Sequence, residues 1–159
     1  MTFDVDRKNK QIHVEREFAA PVETVWSAWT QSEFLDQWWA PKPWKAETKI
    51  MDFRVGGRWL YAMVSPDGNK HWSLTEYKSV APQKNYTGLV MFCDESGNAN
   101  ADTPRSLWNN TFNADGDSTV VDILIKFDKL EDLEMLVGMG FEGGFKMGLS
   151  NLDELLEKK

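Results

Sequence analysis

The sequence predicts an α+β chain: one strand, two short helices, about six further strands and a long C-terminal helix. Three observations predict it. Apolar residues alternate near the N-terminus, switch to helical spacing just after it, and return to helical spacing beyond Leu130. Between the helical stretches, from Trp44 to Phe127, period-two segments are joined by short turns, the pattern of an antiparallel meander.

The first strand is read from "QIHVEREF". Ile12, Val14 and Phe18 share one face, and His13, Glu15 and Glu17 the other. In "APVETVWSAWT", Val22, Val25, Trp26 and Trp29 fall at i, i+3, i+4 and i+7, one stripe of a short helix with Pro21 suited to its start. Ser32 is a candidate cap for a second short helix, "SEFLDQWW", whose Phe34, Leu35, Trp38 and Trp39 share a face before Pro41 and Pro43 end it. "WKAETKIMDF" and "RWLYAMVS" flank "RVGG", where Gly56 and Gly57 suit a tight turn. "KHWSLTEYKSV", "KNYTGLVMFC", "RSLWNNTF" and "TVVDILIKF" continue the meander, with "SPDG", "APQ", a polar loop and "NADGDS" as connections.

From Leu130 to Lys159 the stripe Leu133, Val137, Phe141, Phe145, Leu149, Leu152 and Leu156 predicts one long helix. Gly138, Gly140, Gly143, Gly144 and Gly148 interrupt it, and each interior glycine costs a helix about 1 kcal/mol against alanine. Close backbone packing or a bend explains them on structural grounds. A groove leaving room for a guest beneath the helix is the functional alternative.

Composition narrows the function classes. The 159 residues, 42% hydrophobic and 27% charged, fit one domain over 1–159 with a single core. The net charge of −7 and the lack of a basic stripe argue against nucleic acid. No apolar run has the length of a membrane span, the first ten residues have no apolar signal core, and the single cysteine favours a reducing compartment; a cytoplasmic location without membrane insertion is expected.

Reactive groups are sparse. His13 and His71 stand apart and no metal-ligand spacing appears, so neither a metal site nor a cofactor is expected, and no catalytic residue is assigned. His13 falls on the polar phase of its strand, His71 reads as solvated or structural, and Cys93 as a small buried apolar residue. Arg16 falls in the inward phase between Val14 and Phe18. A buried guanidinium needs a carboxylate, for which Asp52 and Glu76 are candidates, unless it reads a ligand carboxylate instead. Tyr61 and Tyr86 are rings that close the core or hydrogen-bond a guest.

"REFAAPVETVWSAWTQSEFLDQWWAP", "DFRVGGRW" with Met63 following, "SPDG", "EYKSVAP" and "GFEGGF…LSNLDELL" together resemble stand-alone domains similar to the C-terminal domain of the activator of Hsp90 ATPase, within the START/Bet v 1-like superfamily. The resemblance spans nearly the whole chain. It implies a helix-grip fold: a curved antiparallel sheet of about six to seven strands around the long C-terminal helix, with two short helices after the first strand and a hydrophobic cavity between sheet and helix. Leu74-Thr75 stand where a glycine is common in the family.

Three functions are compatible with this reading. The first is a binding protein for a small apolar or amphipathic molecule, held by Trp39, Trp59, Tyr61, Met63, Tyr86, Trp108, Phe141 and Phe145. The second is an enzyme of cyclase or hydratase type using the same cavity, which needs a positioned acid or base such as Tyr61, Tyr86, Glu76 or His71. The third is a co-chaperone or other protein-binding module, to which the resemblance to the Hsp90 activator points. Fold-level analogy does not choose among them.

Overall fold

The structure, a computed structural model, describes residues 1–157. The alternating segments form one antiparallel sheet of eight strands: β1 (Thr2–Asp6), β2 (Gln11–Phe18), β3 (Lys45–Met51), β4 (Arg58–Val64), β5 (Lys70–Ala81), β6 (Asn85–Cys93), β7 (Arg105–Asp115) and β8 (Ser118–Lys126). Their spatial order is β1-β2-β8-β7-β6-β5-β4-β3. Strands β3 to β8 are a meander, and β2 joins it by pairing with β8, from Gln11 opposite Lys126 to Phe18 opposite Thr119.

The strand beyond those expected is β1. "TFDVD" has only two apolar residues, yet Phe3 opposite Val14 and Val5 opposite Ile12 suffice once β2 offers a partner edge. On the concave face Ile12, Val14 and Phe18 of β2 meet Val121, Ile123 and Ile125 of β8 with no exposure. Irregular pairing at Thr48/Ile50 in β3 and Tyr77/Ser79 in β5 bends the sheet. At the β3–β4 turn Gly56 takes φ +83°, and a side chain on Gly57 would strike the Asp52 carbonyl.

Helices α1 (Val22–Thr30) and α2 (Ser32–Trp38) close one end. Ser32 is the first residue of α2 rather than its cap. Gln31, in extended conformation, separates the two helices, and no side chain caps α2. Val25, Trp29, Leu35 and Trp38 are buried, and the Trp38 N–H donates to the Ala28 carbonyl at 2.8 Å.

The long C-terminal helix is in fact two: α3 (Leu130–Gly138) and α4 (Phe141–Glu157). The four-residue apolar spacing runs straight across the junction, but Gly140 turns to φ +85°, a left-handed helix-ending conformation open to glycine. Its N–H reaches the Val137 carbonyl at 3.1 Å. The expected helical residues Lys158 and Lys159 lie outside the described residues.

Leu133 of α3 and Phe145, Leu149 and Leu152 of α4 complete the core. Gly148 lets α4 approach the Trp38–Trp39 corner: a Cβ there would lie 3.1 Å from the Trp39 carbonyl oxygen and 3.4 Å from that of Trp38. Asn151 fastens the same corner, its amide donating to the Ala40 and Trp38 carbonyls at 3.0 and 3.4 Å. Gly148 is thus a close-packing glycine and Gly140 a bend, whereas a side chain on Gly138 or Gly143 would meet nothing within 4 Å. The glycines form no guest groove.

Arg16 pairs with neither Asp52 nor Glu76. Its guanidinium crosses the concave face to Asp153 of α4, with the Leu149 carbonyl at 3.5 Å and the Phe18 ring 5.1 Å away. Asp52 instead holds Arg54, and Glu76 stands near Lys78. The convex face carries its own apolar cluster of Leu60, Leu74 and Met91, flanked by Ile50, Trp72, Leu89 and Cys93. Cys93 is therefore half-buried rather than buried.

Candidate functional site

Strand register brings one set of inward side chains together at the centre of the concave face. Trp59 and Tyr61 come from β4, Thr75 and Tyr77 from β5, Tyr86, Gly88 and Val90 from β6, and Trp108 and Asn110 from β7. Each strand contributes every second residue, as the pleat requires. The rows are direct pairs: Trp59 opposite Thr75, Tyr77 opposite Gly88, Gly88 opposite Trp108, and Tyr86 opposite Asn110. Trp39, just past α2, completes the wall. The space between is about 20 Å³, room for roughly one water molecule.

Trp39 is the hub. Its ring lies 5.4 Å from Trp59, 5.9 Å from Trp108 and 6.0 Å from Phe145, so it touches both the sheet and α4. Its N–H donates to the Tyr61 hydroxyl at 2.8 Å. Trp59 stacks on Tyr61 with centroids 4.0 Å apart and donates to Thr48 Oγ1, while Trp108 donates to Ser106 Oγ. Every indole N–H on the wall is therefore paired.

The chain's three tyrosines, Tyr61, Tyr77 and Tyr86, all stand on this wall. Burial pushes the Tyr61 phenol up to about 12, partly offset by hydrogen bonds with Trp39 and Ser73. Burial also drives Tyr77 and Tyr86 upward, the latter partly offset by a side-chain hydrogen bond with Asn110. At neutral pH all three are neutral phenols, which orient and hydrogen-bond rather than abstract protons. Asn110 is 2% exposed, and its Oδ1 meets no donor among the described residues.

Of the residues expected from sequence, Trp39, Trp59, Tyr61, Tyr86 and Trp108 converge on the cavity. Met63 lies further along β4, opposite Ala46 and His71. Phe141 and Phe145 stack on each other at 5.2 Å and pack edge-on against Trp108, behind the lining. Sequence reasoning missed Thr75, Tyr77, Gly88, Val90 and Asn110. Their signal was phase: each sits two residues from another inward residue or directly opposite one. Glu76, in the phase opposite Thr75 and Tyr77, faces away, and His71 is exposed with its ring 5.4 Å from Trp44.

Two other features lie on the convex face. A broad depression of about 570 Å³ is bordered by Lys78, Leu89, Arg105, Leu107 and Lys126. It is larger than the central cavity and open to solvent, with the charged chains Lys78, Arg105, Lys126 and Asp128 beside Leu89 and Leu107. His13, Glu15 and Asp122 gather there too, with His13 Nε2 3.0 Å from Asp122 Oδ2. His13 is thus half-buried and partnered rather than simply solvated.

A curved antiparallel sheet closed by a C-terminal helix, with an aromatic cavity between them, defines the helix-grip, START/Bet v 1-like class of domains. Within that class, the chain belongs to the Activator of Hsp90 ATPase homolog 1-like protein family, whose model matches residues 19–157. Its fold is similar to that of a Mycobacterium smegmatis protein at TM-score 0.90 and 29% identity, covering 98% of this chain and 96% of that one. An Arthrobacter aurescens protein is similar at TM-score 0.93 and 25% identity, over 99% and 92% of the two chains. A Silicibacter pomeroyi protein, at 22% identity and TM-score 0.72 over 92% and 97%, shares the fold. No curated protein matches the sequence.

Proposed function

We propose that this protein binds a small apolar or amphipathic molecule between the sheet and α4, in the cytoplasm. One observation carries the reading: a residual cavity at the centre of the core is walled by the six rings of Trp39, Trp59, Tyr61, Tyr77, Tyr86 and Trp108. Apolar walls with a few placed polar tips are the ordinary form of small-molecule sites. The family's fold supports the same coarse reading.

The cavity as it stands is far smaller than the few hundred Å³ an organic ligand needs, so binding requires a wall to move. Trp39 is the wall best placed to do so. It is partly buried, lies outside regular structure, and fills the space between Trp59, Trp108 and Phe145. A guest takes the place of its ring, in exchange for the hydrogen bond to Tyr61.

The test is titration with the neutral fluorescent probe N-phenyl-1-naphthylamine, for the wild type and for Trp39→Leu, which vacates ring volume. Saturable one-to-one binding that tightens at least several-fold in Trp39→Leu is expected. Absence of saturable binding in both proteins, with the fold intact by circular dichroism, overturns the reading.

A further inference from the structure

Three features have no role in the binding proposed above: the convex depression, the His13–Glu15–Asp122 group and the unpaired carbonyl of the buried Asn110 amide. The first two are solvated and hold nothing that points to an occupant. The third is different, because a buried polar atom on the cavity wall has no partner among the described residues.

We propose that Asn110 Oδ1 is the acceptor for a hydroxyl or N–H on the bound molecule, so that the cavity selects neutral, donor-bearing aromatic guests over shape-matched molecules that lack a donor. This rests on the cavity being a binding site.

The placement carries the argument. Asn110 is 2% exposed, with inward neighbours Trp108 and Phe112 on its own strand and Tyr86 and Ile123 directly opposite on the flanking strands. An aliphatic side chain of similar size would suit that setting. A buried amide oxygen without a donor costs about 1–3 kcal/mol. The hydrogen bond with Tyr86 holds the phenol's pKa down, as an amide N–H donating to its oxygen does, while Oδ1 meets no donor among the described residues.

Most of the other polar tips on the wall are engaged. Tyr61 accepts from Trp39, Tyr77 lies 3.8 Å from the Met51 sulfur, and the wall indoles are paired. The remaining orphan in the core, Trp29 Nε1, is not on the cavity wall. Asn110 Oδ1 is thus a buried acceptor on the wall that meets no donor among the described residues, and a guest can supply one. The lining holds no Lys, Arg or His, so a guest carboxylate finds no cation there and is repelled by the carbonyl.

The experiment pairs 2-naphthol with 2-methoxynaphthalene, alike in shape but differing in the donor. Affinities are measured by ligand-observed NMR for the wild type, Asn110→Leu, and the double variant Asn110→Leu/Tyr86→Phe, which avoids stranding the Tyr86 hydroxyl if the single variant folds poorly. The wild type is expected to prefer 2-naphthol by on the order of tenfold. In a folded Asn110 variant the preference falls to about twofold or less, with 2-methoxynaphthalene bound at least as well as before. Equal binding of the two probes to the wild type, or a preference that survives the substitution, overturns the assignment of Asn110 while leaving the cavity reading standing. Failure of both probes to bind the wild type overturns the cavity reading and this assignment with it.

Discussion

Trp39 Nε1 donates to the Tyr61 hydroxyl at 2.8 Å, tying the corner after α2 to the floor of the sheet. Tyr61→Phe keeps the ring stacked on Trp59 but leaves the part-buried Trp39 N–H without its acceptor. A loss of about 1–2 kcal/mol is expected, read as a lower urea midpoint at unchanged slope. Pairing it with Trp39→Phe in a double-mutant cycle gives a non-zero coupling energy.

The tyrosines make stability sensitive to alkali. Their folded-state values lie above the ordinary value of 10, so between pH 10 and about 12 the unfolded chain has released phenolic protons that the native chain still holds. Stability contributed by the buried neutral phenols is complete below pH 10 and lost as pH rises through the folded values. Phenolate absorbance followed against pH is expected to rise late and together with unfolding. An ordinary titration near pH 10 in folded protein contradicts this.

The helix glycines separate by what surrounds them. Gly143→Ala meets open space and is expected to stabilise by about 0.5–1 kcal/mol. Gly148→Ala presses on the Trp39 carbonyl and gains less, and Gly148→Val destabilises outright. Thermal melts of the three variants rank them in that order.

Asn151→Ala removes the amide that serves the Trp38 and Ala40 carbonyls, leaving both without that donor in a buried corner. A destabilisation of about 1–3 kcal/mol is expected in urea unfolding. Asn151→Asp, which cannot donate, does not rescue it.

Much of this architecture was legible in the sequence, for local reasons. The alternation of β2 and β8 and the Trp26–Trp29 and Leu35–Trp38 stripes follow from burial on one face, which periodicity reports directly. The break at Gly140 was hidden because Val137, Phe141 and Phe145 keep their spacing across it, and only the backbone angle reveals the turn. The partner of Arg16 was out of reach because Asp153 lies on another element, far along the chain. At the cavity the large rings announced themselves, whereas Gly88, Thr75 and Asn110 carry no compositional signal. Their membership depends on cross-strand register, which a single strand's alternation does not supply.

The pairing of β2 with β8 has a consequence for how the molecule is made. On the inner edge of the β1–β2 hairpin, Gln11 is paired with Lys126, and Arg16 has its counter-charge at Asp153. During synthesis the β1–β2 hairpin therefore waits, its inner edge unpaired, until β8 and α4 have left the ribosome. The β3–β8 meander, built from neighbours in sequence, has no such delay, and contacts between distant residues are the slow step of folding. Assembly thus runs from the middle outward, with the hairpin docking and α4 clamping as the last events. A chain truncated within α4 would be expected to stall at that stage and be cleared by proteases.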